Sequence, residues 1–190
     1  MRDNGYQFFG SDEYSKMPLI LITGGGQGAS GLNNAIIPLL KHWLTNFQVV
    51  HLTGTKWGQN LDPDYSYISH QHYHRLDSVN QGMGDLLAKS EIVFTRAGMG
   101  IIGELAVLKK DSVLIPLPGT HQEENAMLLQ RNKAAAFVSQ DHLETEGINW
   151  WEKFMRERIP GEMGTRLNKM YSDEGTKDFA NLILEIAEKS

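Results

Sequence analysis

The chain has 190 residues, a formal net charge of −5 and no cysteine. That length fits one domain with its own core, the missing thiols exclude disulfides and thiolate metal sites, and the acidic balance argues against a nucleic-acid surface. No apolar run approaches the roughly 20 residues needed to span a bilayer. Residues 1–16 also lack the apolar segment of a secretion signal, so a reducing cytoplasm is the expected location.

Residues 18–23, PLILIT, form a continuous apolar run ahead of a glycine cluster, the pattern of a strand buried on both faces. Residues 32–44 carry apolar side chains at helical spacing, with Pro38 expected to kink or break the helix. Strands are predicted at 47–52 and 68–76, a helix at 79–88 and a strand at 91–95. A helix at 99–108, a strand at 112–117, a helix at 123–134 and a short strand at 136–139 follow. From about His142 onward the pattern is helical, the last helix covering 177–188. Strands alternating with helices imply an α/β fold, a Rossmann-like parallel sheet with helices on both faces. Ligands bind such sheets beyond the carboxyl ends of the strands. The loops 24–31, 53–67, 96–100 and 118–122 are therefore expected along one edge.

Three turns carry possible chemistry. In ITGGGQGASGLN, residues 22–33, Gly26, Gly28 and Gly31 have dinucleotide-motif spacing. The acid that would hold an NAD ribose is missing after the second strand, where none appears before Asp62, and no Lys-Ser/Thr pair closes a P-loop. A strand, a glycine turn and a helix start remain; they can cradle a phosphate through backbone N–H groups or simply pack tightly. FTRAGMGIIGELAVL, residues 94–108, repeats the arrangement with Gly98 and Gly100 at the turn and Glu104 about one turn into the helix. From there a carboxylate can accept hydrogen bonds from a ribose diol, or it is an ordinary solvated acid. In PLPGTHQEENAMLLQRN, residues 116–132, His121, Gln122, Glu123 and Asn125 crowd a helix start, suited either to sugar hydroxyls or to capping. Asp62 and Asp64 spell D-x-D but follow a polar segment, which favours a loop over a metal site. His70, His72 and His74 are expected on one strand face, and Trp150-Trp151 as a plug between a helix and the core or a partner surface.

Together, GGGQGASGLN, HLTG, MGDLLAKSEIVFTRAGMGIIGELA and IPLPGTHQEENA resemble the C-terminal, donor-binding half of the bacterial peptidoglycan N-acetylglucosaminyltransferases, GT-B enzymes of glycosyltransferase family 28. The resemblance covers about residues 18–139 well and the terminal helices loosely. It implies one Rossmann-like half of a GT-B fold, with residues 1–17 as a tail or linker remnant and 18–190 as the nucleotide-sugar domain. It implies UDP-N-acetylglucosamine as donor, no metal and no further cofactor. Donor contacts are implied for Gly24, Gly25, Gly26, Gln27 and Gly28, and for Arg96, Gly98, Met99 and Gly100 around the diphosphate. Glu104 would hold the ribose, Asn80 and Met83 the uracil, and His121, Gln122 and Asn125 the sugar. Gly26 stands where the family has Ser, Ser30 where it has Arg, Ile101 where it has a hydroxyl residue, and Gly119 where His is common, in a shortened loop.

The resemblance further implies an acceptor-binding domain or subunit outside this chain, through which a lipid-linked acceptor and a catalytic base would come. His121 is the local candidate acid or base. Self-association through the exposed interdomain face and a peripheral place at the inner face of the cell membrane follow as expectations. The competing readings are a non-catalytic UDP-sugar-binding or scaffold module, the donor subunit of a split transferase with another acceptor, a UDP-sugar epimerase and a divergent NAD enzyme.

Overall fold

The computed structural model describes residues 17–25, 29–55, 70–79 and 81–171. The predicted helix at 177–188 and the Asp62–Asp64 segment lie outside these residues. The chain runs β1 (Leu19–Thr23), α1 (Ser30–Ala35), α2 (Ile37–Trp43), β2 (Gln48–Leu52), β3 (Tyr73–Leu76), α3 (Met83–Lys89) and β4 (Ile92–Thr95). It continues with α4 (Met99–Val107), β5 (Ser112–Leu114), α5 (His121–Arg131), β6 (Ala136–Phe137), α6 (Gln140–Glu157) and α7 (Glu162–Met170). The six strands form one sheet in the order β3-β2-β1-β4-β5-β6, and every pairing is parallel. This is the doubly wound, Rossmann-like sheet expected from the sequence.

The period-two alternation of the strands sorts the core into two layers. Ile20, Ile22, Val49, Ile92, Phe94 and Val113 point to the layer formed with α1, α2 and α6. Leu19, Leu21, Val50, Leu52, Val93 and Leu114 point to the opposite layer, with α3, α4, α5 and α7. The first layer centres on aromatic rings. Trp43 lies 4.7 Å from Phe94 and 5.2 Å from Trp151, and Trp151 also meets Phe47 at 5.7 Å. Of the tryptophan pair, Trp151 is thus the plug, while Trp150 stacks on Phe154 at 5.2 Å. In the second layer, α7 docks through Gly164, where a Cβ would lie 2.0 Å from the Lys109 carbonyl oxygen. The Asp111 carboxylate accepts from the N–H groups of Gly161 and Gly164 at 2.8 and 3.0 Å, satisfying the start of that helix.

Several boundaries differ from the sequence reading, each for a local reason. Pro38 divides the long helix in two and sits in the first turn of α2, where its missing N–H breaks no bond. β3 starts at Tyr73 because the His70 carbonyl accepts the Tyr73 N–H at 2.9 Å and closes a turn. His70 and His72 therefore precede the strand and share no strand face with His74. α3 starts at Met83, after Gly82 takes a left-handed φ of 85°. β5 ends at Leu114, just before Pro116, which has no N–H for a ladder.

Trp151 is 3% exposed and touches four other aromatic rings. Trp151→Ala should cost about 3–5 kcal/mol, measured as a lowered urea midpoint at unchanged slope.

Candidate functional site

Because every strand is parallel, all strand exits lie on one edge, and a cavity of about 440 Å³ opens there. Thr23, Gly24 and Gly25 reach it from β1, and Leu52 from β2. Asp77, Ser78, Val79 and Met83 line it from the β3–α3 connection. Thr95, Arg96, Gly98, Gly100, Ile101 and Glu104 come from β4 and α4, and Gln122 from α5.

The glycine turn after β1 is shaped by packing. A Cβ on Gly24 would lie 2.4 Å from the Ala29 Cβ, and Gly25 has a φ of 93°. Gly26, Gln27 and Gly28 lie outside the described residues, as does Asn80. The turn after β4 differs. A Cβ on Gly98 or Gly100 would meet nothing within 4 Å among the described residues. Gly98 is the N-cap of α4, with no side-chain cap and no acid in the first turn. The first-turn N–H groups of α4 thus keep their partial positive charge toward the cavity.

Arg96 adds a full charge behind that helix start. Its side chain is buried, and Nη1 donates to the carbonyls of Ile115 and Pro116, both at 2.9 Å. Among the described residues no carboxylate lies within 4.0 Å of it. Burial pulls its pKa below the ordinary guanidinium value, yet arginine remains charged in proteins. The cavity therefore combines a helix start without a side-chain cap and a buried cation that no carboxylate among the described residues neutralises.

Glu104 stands one turn into α4 on the cavity wall. Gln122 reaches the cavity from the other side, its Oε1 accepting the Leu117 N–H at 3.1 Å. Asn125 acts on the backbone: Nδ2 donates to the Ala97 carbonyl at 3.0 Å and braces the turn before α4. Thr120 caps α5 by accepting the Gln122 N–H, and Glu123 accepts the Gly119 N–H at 3.1 Å. The capping reading of this segment therefore holds for those residues. His121 and Met99 are exposed and are not among the cavity-lining residues. The sequence reading missed Asp77, Ser78 and Val79, because the weak alternation before them does not mark where that strand leaves the sheet. Among the described residues, no group of three His, Asp or Glu side chains could hold a metal, and no helix is long and apolar enough to cross a membrane.

Behind the β1 and β2 exits runs a buried polar chain. His51 Nδ1 lies 2.9 Å from the Tyr73 hydroxyl, and Nε2 lies 3.0 Å from Asn33 Oδ1. Asn33 Nδ2 donates to the Thr53 carbonyl at 2.9 Å. An amide oxygen only accepts, so Nε2 carries the proton and Nδ1 accepts from tyrosine. The chain joins α1, which follows the glycine turn, to the end of β2. Burial first, and the nearby Arg75 charge second, lower the His51 pKa from 6.5 to about 3. The neutral imidazole is thus favoured by folding, and the unfolded chain binds more protons below pH 6.5. Stability should be full above that pH and fall by roughly 1.4 kcal/mol per unit as pH drops toward 3. His51→Gln should flatten that part of a stability–pH curve measured by urea unfolding.

An α/β sheet with a cavity at its carboxyl edge is the architecture of one half of a GT-B glycosyltransferase, and solved structures of such enzymes superpose on it. MurG from Acinetobacter baumannii matches with a TM-score of 0.76 and 25% identity, over 90% of this chain and 50% of that one. The calicheamicin glycosyltransferase CalG4 shares the fold with a TM-score of 0.65 and 16% identity, over 92% of this chain and 44% of that one. The family model "Glycosyltransferase family 28 C-terminal domain" matches residues 19–157, and the chain belongs to that family. The UDP-N-acetylglucosamine–N-acetylmuramyl-(pentapeptide) pyrophosphoryl-undecaprenol N-acetylglucosamine transferase of Synechococcus elongatus is 30% identical over 176 residues, which is 90% of this chain and 48% of that protein. Its namesake in Lachnospira eligens is 41% identical over 101 residues, 53% of this chain and 27% of that protein. The chain spans about half the length of the first of these relatives, or less.

Proposed function

We propose that this chain is the donor-binding half of an inverting, metal-independent hexosyltransferase, with UDP-N-acetylglucosamine as donor. The observation that carries the reading is the convergence on one cavity of the uncapped α4 start and the Arg96 cation, which has no carboxylate partner among the described residues. A buried charge without a counter-ion is costly, and a diphosphate would supply the missing anion. Gly98 and Gly100 leave the space for it to approach the backbone. Glu104 would accept hydrogen bonds from the ribose hydroxyls, Met83 and its apolar neighbours would hold the base, and Gln122 would face the sugar.

In the reaction, an acceptor hydroxyl attacks the anomeric carbon, the bond from that carbon to the diphosphate oxygen breaks, and UDP leaves with the electron pair. The helix start and Arg96 stabilise the charge gathering on the leaving group, electrostatic preorganisation in the role a metal could play. The acceptor hydroxyl's proton passes to a base supplied by an acceptor-binding domain or subunit. His121, outside the cavity wall, is poorly placed to serve as that base. The relatives' names suggest a lipid-linked peptidoglycan precursor as acceptor, which would place the complete enzyme at the inner membrane face. In the isolated chain, the face awaiting the other half is where self-association is expected. A non-catalytic UDP-sugar sensor would bind the donor equally well and is separated only by adding the acceptor half.

Calorimetric titration tests the reading. UDP-N-acetylglucosamine and UDP should bind in the presence of EDTA, and NAD should not. Glu104→Ala should weaken UDP at least tenfold, about 1.4 kcal/mol, since hydrogen bonds to a charged group are worth about that much or more. Unchanged affinity would remove Glu104 from the ribose site.

A further inference from the structure

The buried polar chain behind the cavity touches no part of the proposed donor site, yet Asn33 and His51 are fully buried and Thr53 nearly so. Polar groups at that depth cost stability unless they are bonded. The donors run in one direction: the Tyr73 hydroxyl to His51 Nδ1, His51 Nε2 to Asn33 Oδ1, and Asn33 Nδ2 to the Thr53 carbonyl. A carbonyl only accepts, so the Asn33 amide turns its NH2 group to Thr53 and its oxygen to His51. That orientation is supported while Nε2 carries the imidazole proton. Thr53 is fixed in turn to the β3 exit, its N–H donating to the Leu76 carbonyl at 2.9 Å and its Oγ1 accepting from Arg75 Nε at 3.2 Å. At the other end, the Asn33 N–H donates to the Ala29 carbonyl at 2.8 Å, and Ala29 packs so closely on Gly24 that a Cβ there would lie 2.4 Å away. Gly24 and Gly25 line the cavity. One imidazole thus links the exits of β1, β2 and β3.

We infer that His51 is a positioning residue for the phosphate end of the cavity. The inference rests on the proposed nucleotide-sugar site. Glycine places few limits on its own backbone, so the place of Gly24 and Gly25 has to come from their neighbours. His51 orients the Asn33 amide, the amide ties α1 to the β2 exit, and α1 holds Ala29 against Gly24. A fully bonded buried network favours one arrangement of the elements it joins. The backbone of Gly24 and Gly25 is thereby kept in place opposite the α4 start, where both can meet one diphosphate. A leucine at position 51 would fill similar space and orient nothing.

Calorimetry on the full chain compares UMP with UDP, which differ by the β-phosphate, in the wild type and in His51→Leu, Asn33→Ala and His51→Gln. The wild type should favour UDP by about tenfold or more, the worth of one hydrogen bond to a charged group. His51→Leu and Asn33→Ala should each lower that ratio to about threefold or less by weakening UDP, with UMP nearly unchanged. Glutamine can place an N–H where ring Nε2 stands and donate to Asn33 Oδ1, so His51→Gln should restore most of the ratio. Thermal midpoints follow stability separately, and a purely structural loss would weaken both nucleotides alike and leave their ratio in place. Asn33→Ala puts a strong helix former in α1 and decides the matter if His51→Leu does not fold. A UDP/UMP ratio that stays at its wild-type value in the folded variants would overturn the positioning role while leaving the donor site intact. A ratio lost as fully in His51→Gln would overturn the donated hydrogen bond as its cause. Failure of the wild type to bind UDP would overturn the donor site and this inference together.

Discussion

Parallel strand pairing is the constraint on which the rest of the molecule depends. A parallel pair cannot be closed by a tight hairpin, so each strand leaves the sheet at the same edge and returns through a longer crossover, usually a helix. Every pairing is parallel, and among the described residues helices follow β1, β3, β4 and β5 before the next strand. The exits of β1, β2, β3 and β4 therefore gather around one cavity, although long stretches of chain separate them. Burial on both sheet faces supplies the means: the alternating side chains of β1 are shared between two apolar layers, which leaves the strand ends as the place for polar chemistry.

Charge within that edge is arranged unequally. His51 is kept neutral deep behind the first two strands, its ring nitrogens both occupied, so the chain from Tyr73 to Thr53 fixes geometry without adding a field. Arg96 is buried as a cation, and its contacts are carbonyl dipoles rather than a carboxylate. Those carbonyls belong to the segment leading toward α5, so the same side chain that charges the cavity also sets the loop from which Gln122 projects. Asn125 closes the arrangement from the other direction by holding Ala97, the residue beside Arg96. Positive potential and loop geometry thus come from one set of contacts and cannot be varied separately.

The fold was legible because the strands are short apolar runs punctuated by glycine and the helices are amphipathic, two signals that survive without tertiary information. The boundaries were less so, since they were decided by single contacts: a His70–Tyr73 turn, a left-handed Gly82, a proline absorbed at a helix start. In the site, Glu104, Gly98, Gly100 and Gln122 could be placed because they follow strands with strong signatures. Asp77 could not, because β3 is an edge strand of four residues with only its first fully buried, and its polar alternation hides where it stops. The sequence put Asn125 in the right neighbourhood but did not show its backbone partner. Its amide turns to a backbone carbonyl, a choice that residue type alone does not reveal.

The two glycine turns look alike in the sequence, and the structure separates them by cause. At Gly24 the folded chain itself forbids a side chain, because Ala29 occupies the space a Cβ would need. At Gly98 and Gly100 the described residues forbid nothing: both have ordinary negative φ and open space where a Cβ would stand. Gly98 costs little as an N-cap, but Gly100 stands in the first turn of α4, where glycine is less favourable than alanine, a penalty that packing among the described residues does not require. Beside that space stand an uncapped helix start and a cation without a carboxylate partner among the described residues. A ligand's phosphate groups pressed against the backbone would account for the missing side chains and the missing negative charge at once, whereas a tight turn accounts for neither.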